Sequence, residues 1–445
     1  MSYQQKEMIF SLSSGAGRAG VSVFRISGEG AYGLGLSLSG KRKLKPRFAY
    51  FVKIKDAEAQ IIDEGLLLYF PAPHSFTGED IIECHCHGSM AVIKAMSKVL
   101  SGLGARQAEA GEFTRRAVLN GKMDLTEAEG LADLIDSETE AQRQQSLRQM
   151  QGGLSEIYGI WKEQLLDALA QIEGEIDFPT EADIPDNLSH QAYPILKSIA
   201  EEMSTLLEDS GRGQIIREGV NITLIGAPNS GKSSIINRLA RNDVAIVTNE
   251  AGTTRDVLSV DMVMAGLPVT LSDTAGLRMT ENHIEKEGIS RAERRAVESD
   301  LRLWVLDGSN AESPQRPDQI ISGDLVLINK ADLTQQLGSI DDDLETLHIS
   351  AVSGQGFDGL ESRLETLIKT RYGMLPQAGL TRERHKDCVA RAKEATVRAM
   401  DGLSIAPELV SEDIRVALQA LRELAGDADI ESVFDRIFSR FCVGK

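Results

Sequence analysis

Eight residues near the middle of the chain constrain its fold more than any others. Gly226-Ala-Pro-Asn-Ser-Gly231-Lys232-Ser233 follows the apolar run Val220–Ile225 and opens a stretch with helical spacing. A glycine-rich turn of this kind between a strand and a helix is a phosphate-binding loop. Its backbone N–H groups and the helix N-terminus surround phosphate oxygens, Lys232 reaches the outer phosphates, and the Ser233 hydroxyl ligates magnesium. The sequence that follows supplies the sheet such a loop needs. Short apolar runs at Leu267–Leu271, Leu301–Leu306, Leu325–Ile328 and Leu347–Ile349 alternate with helical stretches, which predicts a doubly wound parallel sheet with helices on both faces.

Three further elements fall in order behind the loop. Gly252-Thr-Thr-Arg-Asp256 places Thr254 to complete the magnesium shell. Asp273-Thr-Ala-Gly276 ends a strand, where the Asp holds that shell and the Gly N–H senses the outermost phosphate. Asn329-Lys-Ala-Asp332 follows another strand, and a carboxylate there accepts both hydrogen bonds of a guanine edge, with Ser350-Ala351 backing the base. Together they predict a GTP hydrolase with a Ras-like fold. Leu277, next after Gly276, cannot orient an attacking water. That role and a source of positive charge must come from elsewhere: Glu281, Glu285, Glu287 and Arg278 lie just downstream, and the Asn229 amide oxygen can hold a monovalent cation against the phosphates.

The chain has 445 residues, about three domains' worth at roughly 150 each. Residues 1–120 mix β-like runs (Val21–Ile26, Gly65–Phe70, Ile81–His87) with a helical stretch from Ala91 to Leu100, an α+β pattern. From Thr126 the apolar spacing becomes helical, and Thr126-Glu-Ala-Glu129 has the form of a capping box. Helical spacing returns after the nucleotide region. The expected layout is an α+β head at 1–120, a discontinuous helical domain at 121–214 and 373–445, and an inserted P-loop domain at 215–372. The acidic segment Pro179–Asn187 interrupts the first helical part.

The net charge of −19 argues against a polyanion binder at first sight. The acid is not evenly spread: residues 121–214 carry 6 basic and 20 acidic groups, whereas 1–120 carry 15 and 11. Within the head, Lys41–Lys55 holds seven Lys or Arg in fifteen residues and no acid, which reads as a solvated loop and strand or as a contact for RNA or a protein partner. The four cysteines, at 84, 86, 388 and 442, form no C-x-x-C pair and suggest no disulfide framework. Cys84-His-Cys-His87 alternates along a strand, which sends the two Cys and the two His to opposite faces and speaks against a metal site. The start of the chain has no signal-peptide core and no apolar run is long enough to span a bilayer, so the cytoplasm is the expected location.

The chain resembles the MnmE (TrmE) family of tRNA-modification GTPases over its full length. Beyond the nucleotide motifs, the resemblance rests on Gly20-Val-Ser-Val-Phe-Arg-Ile-Ser-Gly28, Ser75-Phe-Thr-Gly-Glu-Asp80, Gly111-Glu-Phe-Thr-Arg-Arg-Ala117, Asn120-Gly-Lys-Met-Asp-Leu125 and the terminal Phe441-Cys-Val-Gly-Lys445. It implies a head that dimerises and binds 5-formyltetrahydrofolate or another tetrahydrofolate one-carbon form, through Arg25, Glu83, Lys122 and Lys445. It implies nucleotide domains that dimerise across potassium held by Asn229, Thr248, Glu250 and Thr253, with Glu285 orienting water and Lys232 and Arg278 beside the reaction. By the same resemblance the GTP contacts extend to Ser230, Ser234, Asn249, Ala251, Gly252, Thr274, Ala275, Lys330 and Val352, and Cys442 sits near the folate and serves the modification.

The implied activity, with a flavin-dependent MnmG (GidA)-like partner in a heterotetramer or larger complex, installs a (carboxymethyl)aminomethyl group at carbon 5 of the wobble uridine of certain tRNAs. Two other classes fit only parts of the chain. A ribosome-assembly GTPase calls for an RNA-binding module in place of the head, and a folate aminomethyltransferase has no need of the complete guanine set. The acidic total further implies that the chain alone binds tRNA weakly and with strong salt dependence.

Overall fold

The computed structural model describes residues 7–15, 17–56, 58–177, 188–242, 259–273, 297–310, 315–333, 343–373, 379–403, 407–427, 431–439, 441 and 444. The first unit comprises β1 (Ile9–Leu12), β2 (Ala19–Ser27), α1 (Ala31–Ser39), β3 (Tyr50–Lys55), β4 (Ile61–Phe70), β5 (Ile81–Gly88), α2 (Met90–Gly102), β6 (Arg106–Gln107) and α3 (Glu112–Leu119). Its strands run in the order β3-β4-β5-β2-β1-β6, antiparallel except for the β1–β6 pair. Strand alternation sends Phe24, Ile26, Val52, Ile54, Leu67, Cys84 and Cys86 to one face, where Leu34, Leu38, Met96 and Leu100 of the two longer helices cover them. Arg25, Glu83 and His85 alternate onto the other face.

Helices α4 (Leu125–Ile135), α5 (Glu140–Met150), α6 (Gly153–Asp177), α7 (Leu188–Glu208) and α8 (Ser210–Glu218) follow. The sequence then enters a second sheet unit: β7 (Val220–Ile225), α9 (Lys232–Asn242), β8 (Ser259–Met264), β9 (Leu267–Asp273), β10 (Leu301–Asp307), β11 (Leu325–Asn329), β12 (Glu345–His348) and α10 (Phe357–Tyr372). It ends with α11 (Glu383–Gly402), α12 (Pro407–Ala425) and α13 (Glu431–Phe438). One apolar core unites Trp161, Leu165 and Ile172 of α6 and Leu196, Ile199 and Met203 of α7 with Val389, Ala392 and Ala395 of α11 and Ile414, Leu421 and Leu424 of α12. The helical bundle is thus built from chain on both sides of the second sheet. Alanines at 392, 395 and 399 leave α11 a small-residue stripe on which its neighbours pack closely.

The second sheet has the order β12-β11-β10-β7-β9-β8. It is mixed, not purely parallel as the apolar runs suggested. β8 pairs antiparallel with β9 through a two-residue turn, in which Ala265 (φ 55°) and Gly266 (φ 81°) both adopt the left-handed conformation of a type I′ hairpin. The capping box also differs from expectation. The Asp124 side chain accepts the Glu127 N–H (2.9 Å) and the Glu127 carboxylate accepts the Asp124 N–H (2.8 Å), two residues ahead of the expected pair. Thr126 instead donates to Asp124, and Glu129 faces inward.

That inward turn builds a buried charge cluster. Glu129, 1% exposed, accepts hydrogen bonds from Arg384 (2.7 Å) and the fully buried His385 (2.6 Å). Burial alone pushes a carboxyl pKa up, but the charges of His385 and Arg384 hold the Glu129 carboxyl well below the usual range. One turn on, Asp133 Oδ1 accepts from both Arg217 (3.1 Å) and Arg382 (2.6 Å). Those two arginines stand just before and just after the second sheet unit in sequence, so its two connections to the bundle are tied to one carboxylate. Close packing accompanies the pairing: a Cβ on Gly213 of α8 would lie 2.5 Å from the Leu380 carbonyl oxygen. Glu129→Ala removes the shared acceptor of the half-buried Arg384 and the buried His385, so we expect a loss of about 1–3 kcal/mol from the bundle and a lowered thermal midpoint. An unchanged midpoint contradicts this assignment.

Candidate functional site

The predicted nucleotide residues converge at the carboxyl ends of β7, β9, β11 and β12. β7 lies inside the sheet, with β9 on one side and β10 on the other. The chain builds outward from it first one way and then the other, which makes this the switch point where open α/β sheets leave a crevice. A cavity of about 950 Å³ occupies that crevice, lined by Asn229, Gly231, Lys232, Ser233, Ser234, Asp273, Asn329, Lys330, Asp332, Ser350, Ala351 and Val352, with Pro228 and Leu333.

At one end the loop between β7 and α9 is folded tightly. Asn229 (φ 63°) and Gly231 (φ 97°) are both left-handed, and a Cβ on Gly231 would stand 2.1 Å from Asn329 Nδ2. Lys232 is 3% exposed and lies back over the loop, its Nζ donating to the carbonyls of Gly226 (2.9 Å) and Ala227 (3.0 Å). Burial lowers its ammonium pKa, and the charge of Asp273 acts in the opposite direction. A desolvated cation whose hydrogen bonds among the described residues all go to carbonyls suits a polyphosphate, which gives it a stronger partner. Ser233 Oγ donates to Asp273 Oδ2 at 2.8 Å, so two hard oxygen donors already stand together, as a magnesium ion bridging to phosphate requires. The Ser230 hydroxyl, buried behind the loop, has no hydrogen-bond partner among the described residues.

At the other end Asn329 ties the loop to the turn after β12. Its Nδ2 donates to the Ser230 carbonyl (2.8 Å) and its Oδ1 accepts the Ala351 N–H (3.0 Å), while the residue itself is 2% exposed. Lys330 is left-handed (φ 63°) and ion-paired with Asp307 at the end of β10. Burial raises the Asp307 carboxyl pKa, but Lys330 and Ser309 outweigh it and hold the group below its ordinary range. Asp332 is exposed on the cavity wall, available to the donors of a base. The sequence assigned Asp332 to the base but did not single out Asn329 as the link between the two ends. It also did not mark Arg238 of α9, whose Nη1 donates to the carbonyls of Ala351 and Val352 (both 3.1 Å). Neither link leaves a local signal, since Asn329 lies 99 residues from Ser230 and 22 from Ala351, and Arg238 lies 113 and 114 from its two carbonyls.

Thr248, Asn249, Glu250, Ala251, Gly252, Thr253, Thr254, Thr274, Ala275, Gly276, Arg278, Glu281, Glu285, Glu287, Cys442 and Lys445 lie outside the described residues. In the head, Arg25 and Glu83 are direct cross-strand partners in β2 and β5, and the guanidinium donates to Glu83 Oε1 from Nε (3.0 Å) and Nη2 (2.9 Å). Arg25 also lies 5.1 Å from the Phe76 ring centroid and 5.9 Å from that of Phe113. The two are therefore brought together as a pair on one face of the sheet. The Lys122 stem packs at the Gly78 turn. The C-terminal tail reaches the same sheet: Phe441 packs with Leu125 and Phe438, and Ser13 donates to the Gly444 carbonyl at 2.9 Å.

Cys84 and Cys86 face the head core, where burial pushes both thiol pKa values up, that of Cys86 to about 11. On the opposite face His85 lies 3.6 Å from Glu83, and His87 is held by Asp63 at 2.8 Å. In the basic run, Lys53 pairs with Glu64, and Phe48 and Phe51 stand exposed beside it.

The family profile described as the MnmE helical domain matches residues 125–442, and that of the GTP-binding protein TrmE N-terminus matches residues 8–122. Three relatives, each named tRNA modification GTPase MnmE, align along nearly the whole length of both chains. That of Maricaulis maris is 49% identical, covering 98% of this chain and 99% of that protein. Those of Paramagnetospirillum magneticum and Parvibaculum lavamentivorans are each 46% identical, covering 99% of this chain and all of theirs (100%).

The geometry of the loop yields a direct expectation. Gly231→Ala forces a left-handed alanine and a clash with the Asn329 amide, so guanine-nucleotide affinity falls by at least about tenfold, roughly the 1.4 kcal/mol such strain and displacement cost. Isothermal titration with GDP checks it; wild-type affinity in the variant contradicts it.

Proposed function

Because the chain belongs to the MnmE (TrmE) family of tRNA modification GTPases, we propose that it hydrolyses GTP to drive modification of the wobble uridine of certain tRNAs. The observation that carries the nucleotide part is the cavity itself: a buried lysine and a Ser–Asp oxygen pair at one end, an exposed carboxylate at the other, and one asparagine joining them. Magnesium on Ser233 and Asp273 supplies charge neutralisation for the outer phosphates when bound. The chain's own groups do the rest: Lys232 balances phosphate charge, the loop amides orient it, and Asp332 selects guanine over adenine.

The modification is a (carboxymethyl)aminomethyl group at carbon 5, installed with a flavin-dependent partner in the cytoplasm. Hydrolysis accompanies pairing of two nucleotide domains across potassium at Asn229, with Glu285 orienting the water. The left-handed Asn229 on the cavity wall supports a backbone-fixed side chain at that point. The head holds a tetrahydrofolate one-carbon donor near Arg25 and Glu83, and the tail docked at Ser13 supports a site completed by the C-terminus. No helix among the described residues is long and apolar enough to cross a membrane.

Two measurements test this reading. Nucleoside mass spectrometry of tRNA from a strain lacking the protein is expected to show loss of the carbon-5 substituent at the wobble uridine; an intact substituent refutes the modification role. GTP turnover is expected to rise many-fold when potassium replaces sodium, and equal rates in both salts remove the cation from the account.

A further inference from the structure

Arg238, in the second turn of α9, reaches from the phosphate helix to the turn that backs the base. Besides the Ala351 and Val352 carbonyls, it donates from Nη2 to the Ser353 carbonyl at 3.4 Å, and its guanidinium carbon lies 5.3 Å from the Phe357 ring centroid. Three successive carbonyls therefore gather on one cation. Gly354 (φ 93°) makes room for it, since a Cβ there would stand 2.0 Å from Nη2.

The consequence falls on the other side of each peptide. In a planar trans peptide the C=O and the following N–H point in opposite directions, so drawing the Ala351 and Val352 carbonyls to Arg238 also fixes the amides of Val352 and Ser353. The Ala351 N–H is taken by Asn329 (3.0 Å) and the Ser353 N–H by the Ser350 hydroxyl (3.1 Å). That leaves the Val352 amide as the donor of this turn with no partner among the described residues, on a residue that lines the cavity.

We propose that Arg238 is a positioning and specificity-determining residue for the nucleotide base. By holding the carbonyls of 351–353 away, it keeps a backbone donor presented to the 6-oxo group of guanine. A 6-amino purine meets donor with donor at the same place. Arg238 also belongs to the helix that begins at Lys232, so base turn and phosphate loop are held by one element. This inference rests on reading the cavity as a GTP site.

The test uses the full-length protein and competition of GTP and of ATP against a fluorescent GDP. In Arg238→Ala the GTP dissociation constant rises about tenfold while that of ATP changes less than about twofold, so selectivity drops by nearly the same factor. The loss appears in KM for GTP more than in kcat. Arg238→Lys, with a single donor group for three carbonyls, falls between the two, and it carries the test should the alanine variant lose its folded baseline. Equal weakening of GTP and ATP, or unchanged GTP affinity, overturns the inference while leaving the nucleotide site intact. A wild-type protein with no preference for GTP over ATP overturns both.

Discussion

Two hydrogen bonds from one side chain hold the nucleotide site together. The Asn329 amide bonds the phosphate loop at Ser230 and the base turn at Ala351, segments separated by more than a hundred residues. Each such bond contributes only about 0.5–1.5 kcal/mol, but the one to Ser230 is buried and the one to Ala351 half-buried, and removing the side chain leaves a carbonyl and an amide unsatisfied at greater cost. The arrangement depends on the sheet. β11 ends at Asn329 because its parallel register aligns Asp307 with Asn329 on one side and Ile328 with His348 on the other. That register sets the phosphate loop, the base-selecting segment and the base turn at one rim of the sheet. Arg238 adds a second connection between the same two segments from below.

The rest of the molecule seats this unit. The helical bundle closes around chain from both sides of the second sheet, and Asp133 accepts the arginines that flank the two connections. Helix α5 meets the same unit, with Ala141 in the core of the second sheet and Gln142 donating to the Arg217 carbonyl, so Asp133 is one of several ties between the two. Helix α4 extends from there to Leu125, which packs with Phe438 and Phe441, and the Gly444 carbonyl accepts from Ser13, next after strand β1 of the head. Described contacts thus run from the nucleotide unit through α4 to Phe441, and a separate one ties Gly444 to the head.

Much of this was legible in the sequence because it is written in local pattern. The glycine-rich loop, the apolar runs that became β7, β9, β10 and β11, and the split helical region all follow from periodicity and turn chemistry. β8 was missed because Ser259-Val-Asp-Met-Val-Met264 is an edge strand with polar residues on its open side, and its signal lies in the Ala265-Gly266 turn. The capping box was misplaced because two overlapping polar tetrads compete at 124–129, and burial of Glu129 against Arg384 and His385 decides between them. Pairing of that kind crosses more than 250 residues and has no local trace. Arg25 and Glu83 were recognised as functional candidates, but their direct contact follows only from the β2–β5 register.

The central claim is that the cavity binds a guanine nucleotide with Asp332 reading the base. Its most direct measurement is the nucleotide preference of Asp332→Asn. A carboxylate accepts the two donors of guanine, whereas an amide presents a donor to the 2-oxo group of xanthine. The variant is expected to lose affinity for GTP and gain it for xanthosine triphosphate, with hydrolysis following the same exchange. A variant that binds GTP as tightly as before and ignores the xanthine nucleotide would contradict it.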